Sequence, residues 1–345
     1  RNMEDLLKTA QREMDRRTFL KLSGATGALL VVAGLGCQPA GPKQMAGLKG
    51  AASGLNSFPA LAPIQIALAK GFFEQEGLKS EWTEFAGGGD TIRAVTTGGF
   101  HVAEAAWSAA LTAFQQGEPV RVIASGMNVI VVVWMVPVNS PLKSMKDIKG
   151  KKLSISRAGS VTHTALLGVL KAEGMSEVDV QIVATGGAPE TWTAAKTGVI
   201  DVAWSSGAVQ HRAELSGEAR VIARARDYIK NWMDVCTATT VDTIKQQPEL
   251  LRSYLKAKQK AMDFIAGNPE EAGRIWAKVV NLDEAYAIAD MKVEVPKEAW
   301  TLKIDAQALT ELQDQMVSSK QLSGKVDVNT LVDQSFLPEN LRVKI

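Results

Sequence analysis

Residues 153–204 read LSISRAGSVTHTALLGVLKAEGMSEVDVQIVATGGAPETWTAAKTGVIDVAW. Short apolar runs alternate here with segments of helical periodicity. Leu153–Ser156 predicts a strand, Ser160–Glu173 a helix opened by a Ser/Thr-rich turn, and Val180–Ala184 a second strand. Pro189–Lys196 then predicts a helix and Val199–Trp204 a third strand. Strands alternating with helices in one continuous run imply βαβ units and a largely parallel sheet.

The alternation extends in both directions. Upstream, Leu61–Phe73 predicts a helix, Ser80–Phe85 a strand, and the turn Gly87-Gly88-Gly89-Asp90 opens a helix to about Thr97. Phe100–Ala105 predicts a strand, Ala109–Gln116 a helix, and Val120–Ser125 and Ile130–Val136 two more strands. The last is almost wholly apolar, as in a strand buried on both faces. Pro137–Ser140 reads as a crossing into a second α/β series, and Val235–Val241, after a strand at Val221–Arg224, as the return. Beyond Pro248 the periodicity is mainly helical, at Glu249–Ile265, Pro269–Val280, Glu284–Met291 and Ala306–Val317.

Composition narrows the function. At 345 residues the chain suits about two domains at ~150 residues each. Lys and Arg number 39 against 37 Asp and Glu, a formal charge of +2, which excludes a global nucleic-acid-binding field. Two cysteines and three histidines exclude a zinc-finger lattice or a disulfide framework.

The N-terminal segment is an export address. Arg16-Arg17-Thr18-Phe19-Leu20-Lys21 is a twin-arginine motif, followed by a weakly apolar run from Leu22 to Gly36. That run suits a signal h-region and is short for a membrane span. It ends at Gly34-Leu35-Gly36-Cys37, a lipobox-like sequence that makes Cys37 a candidate for acylation, although Gly34 stands where Leu is usual. Met14 is a candidate start. Removing 1–36 takes away six basic and four acidic residues and leaves 33 of each, a formally neutral mature chain. Residues 37–46 read as a tether, with lobe 1 expected at 47–136 plus 236–345 and lobe 2 at 137–235.

Three stretches carry a family resemblance: Ile64–Leu78 (IQIALAKGFFEQEGL) followed by Phe85-Ala86-Gly87-Gly88, Pro141–Arg157 (PLKSMKDIKGKKLSISR) with Gly159-Ser160 and His163, and Ala194–Ala203 (AAKTGVIDVA). Together they resemble the nitrate/sulfonate/taurine-type (NMT1/THI5-like) periplasmic solute-binding proteins of ABC importers, over roughly residues 45–245. The resemblance implies a two-lobed type II periplasmic-binding-protein fold. Its α/β lobes are joined by two crossover segments and close on a ligand by hinge motion. It also implies a membrane permease as partner. Two features depart from the pattern: residues 50–63 are Ala/Gly/Ser-rich, and Phe100-His101 replaces an acidic residue after Gly98-Gly99.

In such sheets ligands sit beyond the carboxyl ends of strands, where helix N-termini offer free N–H groups and favour anions. The candidate turns are Gly88, Gly89 and Thr91; Trp107 and Ser108; and Arg157, Gly159, Ser160, Thr162 and His163. Asn56, Ser57 and Phe58 should wall the first lobe, and Glu190, Trp204 and Ser205 the second. For each, a helix cap or core packing is the competing reading, and for Arg157 a surface ion pair. Glu190 would repel a simple anion but accept from an amine.

The expected function is capture of a small organic anion (a sulfonate, a nitrate-like ion or an aromatic carboxylate) and delivery to an ABC permease, by a monomer without cofactor or metal. The competing classes are a thiamine-precursor pyrimidine binder, an enzyme of pyrimidine synthesis on the same fold, and a sensory module. No Gly-x-Ser-x-Gly elbow, phosphate loop or metal-spaced histidine set supports an enzyme. Cys236 reads as a core thiol.

Overall fold

A computed structural model describes residues 45–294 and 299–345. The twin-arginine segment, Cys37 and nearly all of the expected tether lie outside the described residues. In chain order the elements that build the site begin with β1 (Ala46–Ser53), α1 (Ala62–Ala69), β2 (Leu78–Phe85), α2 (Gly88–Thr96), β3 (Val102–Ala106), α3 (Trp107–Gln115), β4 (Val120–Met127) and β5 (Val133–Pro137). There follow β6 (Lys152–Ile155), α4 (Val161–Ala172), β7 (Gln181–Ala184), α5 (Ala188–Lys196), β8 (Ala203–Ser205), α6 (Gly207–Leu215), β9 (Ala219–Arg224) and β10 (Val235–Thr240). Three longer C-terminal helices are α7 (Pro248–Gly267), α8 (Pro269–Val280) and α9 (Ala306–Ser318).

The first sheet has the order β2-β1-β3-β10-β4. β1 runs parallel to β2 and β3, while β10 is antiparallel to both β3 and β4. The second half repeats this plan. β6 pairs with β7 in parallel and touches the β8 region through a parallel bridge from Leu153 to Val202. β5 lies between β8 and β9, antiparallel to both. Each sheet, with its helices, makes one lobe, and each takes its inserted antiparallel strand from a crossover segment.

Two expectations are corrected by this topology. The apolar strand expected at 130–136 to end lobe 1 belongs to the second sheet, so the first crossing falls at 128–132 and not at Pro137–Ser140. The reason is burial: Val133, Trp134, Met135 and Val136 are all buried, as the strand second from a sheet edge and covered on both faces must be. The first strand starts at Ala46, inside the expected tether, and its small residues have a packing cause. A Cβ on Gly50 would lie 2.6 Å from the Trp82 ring, which rests on the strand from β2.

The C-terminal helices divide between the lobes, where all of 236–345 was expected in lobe 1. α7 and α8 pack against α1 in a core with Leu48, Phe73 and Trp276. α9 instead touches α4 of lobe 2: Gln315 Nε2 donates to the Thr164 carbonyl at 2.5 Å, and just past the helix Gln321 Nε2 approaches His163 Nδ1 at 3.2 Å. Helix α6 has no sequence expectation because it lacks a wide apolar stripe. Arg212 on α6 donates to the carbonyls of Val280 and Asn281 at the end of α8.

One polar cluster holds the returning strand in the first sheet. Glu104 on β3 and Lys258 on α7 are fully buried and meet at 2.7 and 2.8 Å. Thr237 on β10 donates to Glu104 at 2.5 Å and accepts from Lys258 at 2.9 Å, and Tyr254 donates to Glu104 at 2.6 Å. Just before β10, Asp234 is fully buried, and burial pushes its carboxyl well above the usual carboxylate range. Replacing Glu104 by Ala leaves an uncompensated buried ammonium, a loss of about 3–5 kcal/mol. Chemical denaturation should show that loss, and the paired change Glu104→Leu with Lys258→Met should recover most of it.

Candidate ligand-binding cleft

Between the lobes lies a cleft of about 650 Å³. The first lobe contributes Ser53 at the end of β1, Glu84 and Phe85 at the end of β2, Ala106 at the end of β3, and the Asn56-Ser57-Phe58 turn. The second lobe contributes Ser156 after β6, Trp204 on β8, and the first turns of α4 and α5. Carboxyl ends of parallel strands and amino ends of helices therefore face one space from both sides, the arrangement that favours a bound polar or anionic group.

The N-terminus of α4 is the most organised of these ends. Ser160 caps it, its side chain accepting from the His163 N–H at 3.3 Å. Ser156, Ser160 and Thr162 form a triangle of hydroxyls with Oγ–Oγ distances of 2.9, 2.9 and 3.1 Å, and the Ser156 N–H donates to Thr162 Oγ1 at 2.9 Å. All three are buried side chains on the cleft wall. α5 opens at Gly187 without a side-chain cap, with Pro189 in its first turn. Among the described residues that line the cleft there is no Lys or Arg, and two are carboxylates, Glu84 and Glu190.

The sequence candidates divide. Asn56, Ser57, Phe58, Gly88, Ser160, Thr162, Glu190 and Trp204 line the cleft. The others lie elsewhere, each for a packing reason. Thr91 turns its hydroxyl back to the Gly87 carbonyl at 3.0 Å. Trp107 is wholly buried in the first-lobe core, its indole 3.4 Å from Ser125 Oγ. Ser205 is wholly buried behind the wall. Gly89 and Gly159 line a separate small depression outside the cleft. His163 faces Gln321, just beyond the end of α9, and its Nδ1 accepts from the Gly159 N–H at 3.0 Å.

Ser108 and Arg157 join the lobes without lining the cleft. Ser108 Oγ donates to the Gly159 carbonyl at 2.9 Å. The stem of Arg157 lies over Gly87, where a Cβ would stand 2.9 Å from Arg157 Cγ, so Gly87 is the residue that lets the lobes meet. The Arg157 guanidinium approaches Asp90 at 3.8 Å across the lobe boundary, with more than half of its side chain exposed.

Glu84, Phe85 and Ser156 have no place among the expected residues. They fall at the carboxyl ends of β2 and β6, so the strand-end rule that selected Trp204 would also select them. Of the eight tryptophans only Trp204 lines the cleft; Trp192 packs with Met135 and Ile200.

With this geometry in view, likeness to known proteins decides the family. The family described as NMT1/THI5 like matches residues 59–272. This chain belongs to the NMT1/THI5-like family. A twin-arginine translocation signal matches residues 13–33, so the chain carries an export signal of that pathway. The riboflavin-binding protein RibY of Chloroflexus aurantiacus is 27% identical over 296 residues, covering 80% of this chain and 82% of that protein. A putative aliphatic sulfonates-binding protein of Bacillus subtilis is 23% identical over 286 residues, covering 81% and 85%. The alkanesulfonate-binding protein SsuA of Xanthomonas axonopodis pv. citri, solved with MOPS, superposes with a TM-score of 0.72 at 20% identity, covering 84% of this chain and 98% of SsuA. The likeness extends to the two-lobed periplasmic-binding-protein architecture.

Two residues outside the cleft lining of this NMT1/THI5-like chain, Arg157 and His163, each carry a prediction. An exposed ion pair is worth about 0–1 kcal/mol, so Arg157→Ala should change ligand affinity by less than about fivefold in a titration. Burial lowers the pKa of His163 below its usual 6.5 and also lowers that of His101, whose Nδ1 accepts the Lys49 N–H at 2.9 Å. The unfolded chain therefore binds these protons first, and stability should fall as pH drops below about 6.5. Melting temperature against pH should show that decline, and His163→Gln should flatten it.

Proposed function

We propose that this chain is the extracytoplasmic solute-binding component of an ABC importer, binding its ligand without chemical conversion and presenting it to a membrane permease. The observation that carries the reading is the cleft itself: an open volume of about 650 Å³ framed by strand carboxyl ends and helix amino ends from two lobes. The ligand is a small organic solute whose acidic head, a sulfonate or carboxylate, sits at the hydroxyl triangle and first turn of α4. Backbone N–H groups and neutral hydroxyls bind such a head through local dipoles, which suits a mature chain with no net formal charge. Phe58, Phe85 and Trp204 supply an apolar wall for the body of the ligand. Export by the twin-arginine route, with Cys37 acylated as an anchor and the chain acting as a monomer, completes the reading.

The test is ligand-dependent melting of the exported protein against sulfonates, nitrate, aromatic carboxylates, pyrimidines and flavins. At least one organic acid is expected to raise the melting temperature saturably, and Ser160→Ala with Thr162→Ala together to weaken it by more than tenfold. Turnover of a bound compound, or no shift with any compound of the panel, contradicts the proposal.

A further inference from the structure

A chain of amides runs into the first-lobe wall in one direction. Gln65 on α1 donates from Nε2 to Asn56 Oδ1 at 2.7 Å and to the Leu55 carbonyl at 3.3 Å. With its oxygen occupied, Asn56 presents Nδ2, which donates to Glu84 Oε2 at 2.8 Å. Turning the Asn56 amide over would set its oxygen against the carboxylate and its nitrogen against another donor, so the relay has one orientation. Its output is a carboxylate held at the carboxyl end of β2, in the wall of the cleft. Glu84 Oε1 has no hydrogen-bond partner among the described residues.

The second lobe adds to the same electrostatic pattern. Glu190 folds back over the amino end of α5, with Oε2 2.7 Å from where a Cβ on Gly187 would stand. That helix end is thus already faced by a carboxylate of its own. Arg157 at the rim is turned to Asp90. Among the described lining residues a simple anion therefore meets two carboxylates and no lysine or arginine, whereas a hydrogen-bond donor meets a prepared acceptor.

We propose that Glu84 is a specificity-determining residue and that the ligand is an amine-bearing organic acid, its protonated amine or another N–H donor received by Glu84 and its acidic head by α4. The proposal rests on the solute-binding reading and deepens it. The acid is received by lobe 2 and the donor by lobe 1, so a ligand with both groups bridges the lobes, while one with either group alone engages only one side. The Gln65–Asn56 relay acts as a positioning device, because it holds the acceptor before the ligand arrives and lowers the ordering cost of binding.

Matched probes separate these statements: taurine against ethanesulfonate, and 4-aminobenzenesulfonate and 4-(aminomethyl)benzoate against benzenesulfonate and 4-methylbenzoate, each titrated into the exported protein and into its Glu84→Gln and Glu84→Asp variants. Glu84 is an exposed residue, and the ligand-free melting temperature of each variant checks that it folds. At least one amine-bearing acid is expected to bind tenfold or more tightly than its amine-free partner. Glu84→Gln is expected to erase that ratio and Glu84→Asp to restore part of it. Equal binding within every pair, preference for the amine-free acids, or a ratio that survives Glu84→Gln overturns the role of Glu84 and leaves the importer reading intact. Failure of all these probes while a compound of the wider panel binds overturns the ligand class alone. Failure of both sets overturns the ligand class and the importer reading together.

Discussion

The buried contact between Glu104 and Lys258 is the constraint on which the binding architecture depends. β10 enters the first sheet after the chain has built the whole second lobe, 133 residues beyond Glu104. Nothing local in sequence holds it there. Thr237 of β10 sits between the carboxylate of β3 and the ammonium of α7, so the strand is read by a charged pair on both sides. A one-residue slip would turn Thr237 to the opposite face and leave both charges short of a partner in a medium of low dielectric. The desolvation cost of such a pair offsets most of its attraction, so its contribution is the register of the sheet more than its stability. The same strands end at Ala106 and Val235, which line the cleft, so an error in register would misplace the binding wall itself.

From that frame the chemistry of the cleft follows with few side chains. Two sheets of the same plan direct strand ends and helix amino termini at one space. Partial positive charge then comes from the backbone and needs no arginine. The side chains add what the backbone lacks: hydroxyls at α4, an aromatic wall, and carboxylates at Glu84 and Glu190. The contacts of Arg157 and Ser108 lie across the lobe boundary outside the cleft, where they bear on the juxtaposition of the lobes and not on the ligand's head group.

Much of the fold was legible because periodicity reports burial, and burial is what makes strands and helices. The run from Leu153 to Trp204 announced its βαβ plan, and the α4 cap was readable from Ser160 and the hydroxyls around it. The cleft residues were half legible for a different reason. The strand-end rule gives the edge of the sheet but not the direction of each side chain. Thr91, Trp107 and Ser205 stand at the right edge and point into the protein, whereas Glu84 and Ser156 stand at the same edge and point into the cleft. For Arg157 the sequence left a ligand contact and a surface ion pair open, because a cation near a helix end looks the same in either case; the fold turns it to Asp90 of the other lobe.

The sequence alone determined the export address, the α/β class, the existence of two series joined by crossings, and the family. Each of these is written in local patterns of a few residues or in the order of elements. Only the tertiary structure decided that the apolar strand at Val133–Pro137 belongs to the second sheet, that α9 returns to the second lobe, and that Gln65, Asn56 and Glu84 form one relay. Those facts rest on contacts between residues far apart in the chain. Such contacts depend on which surfaces pack together, and no local periodicity records that choice.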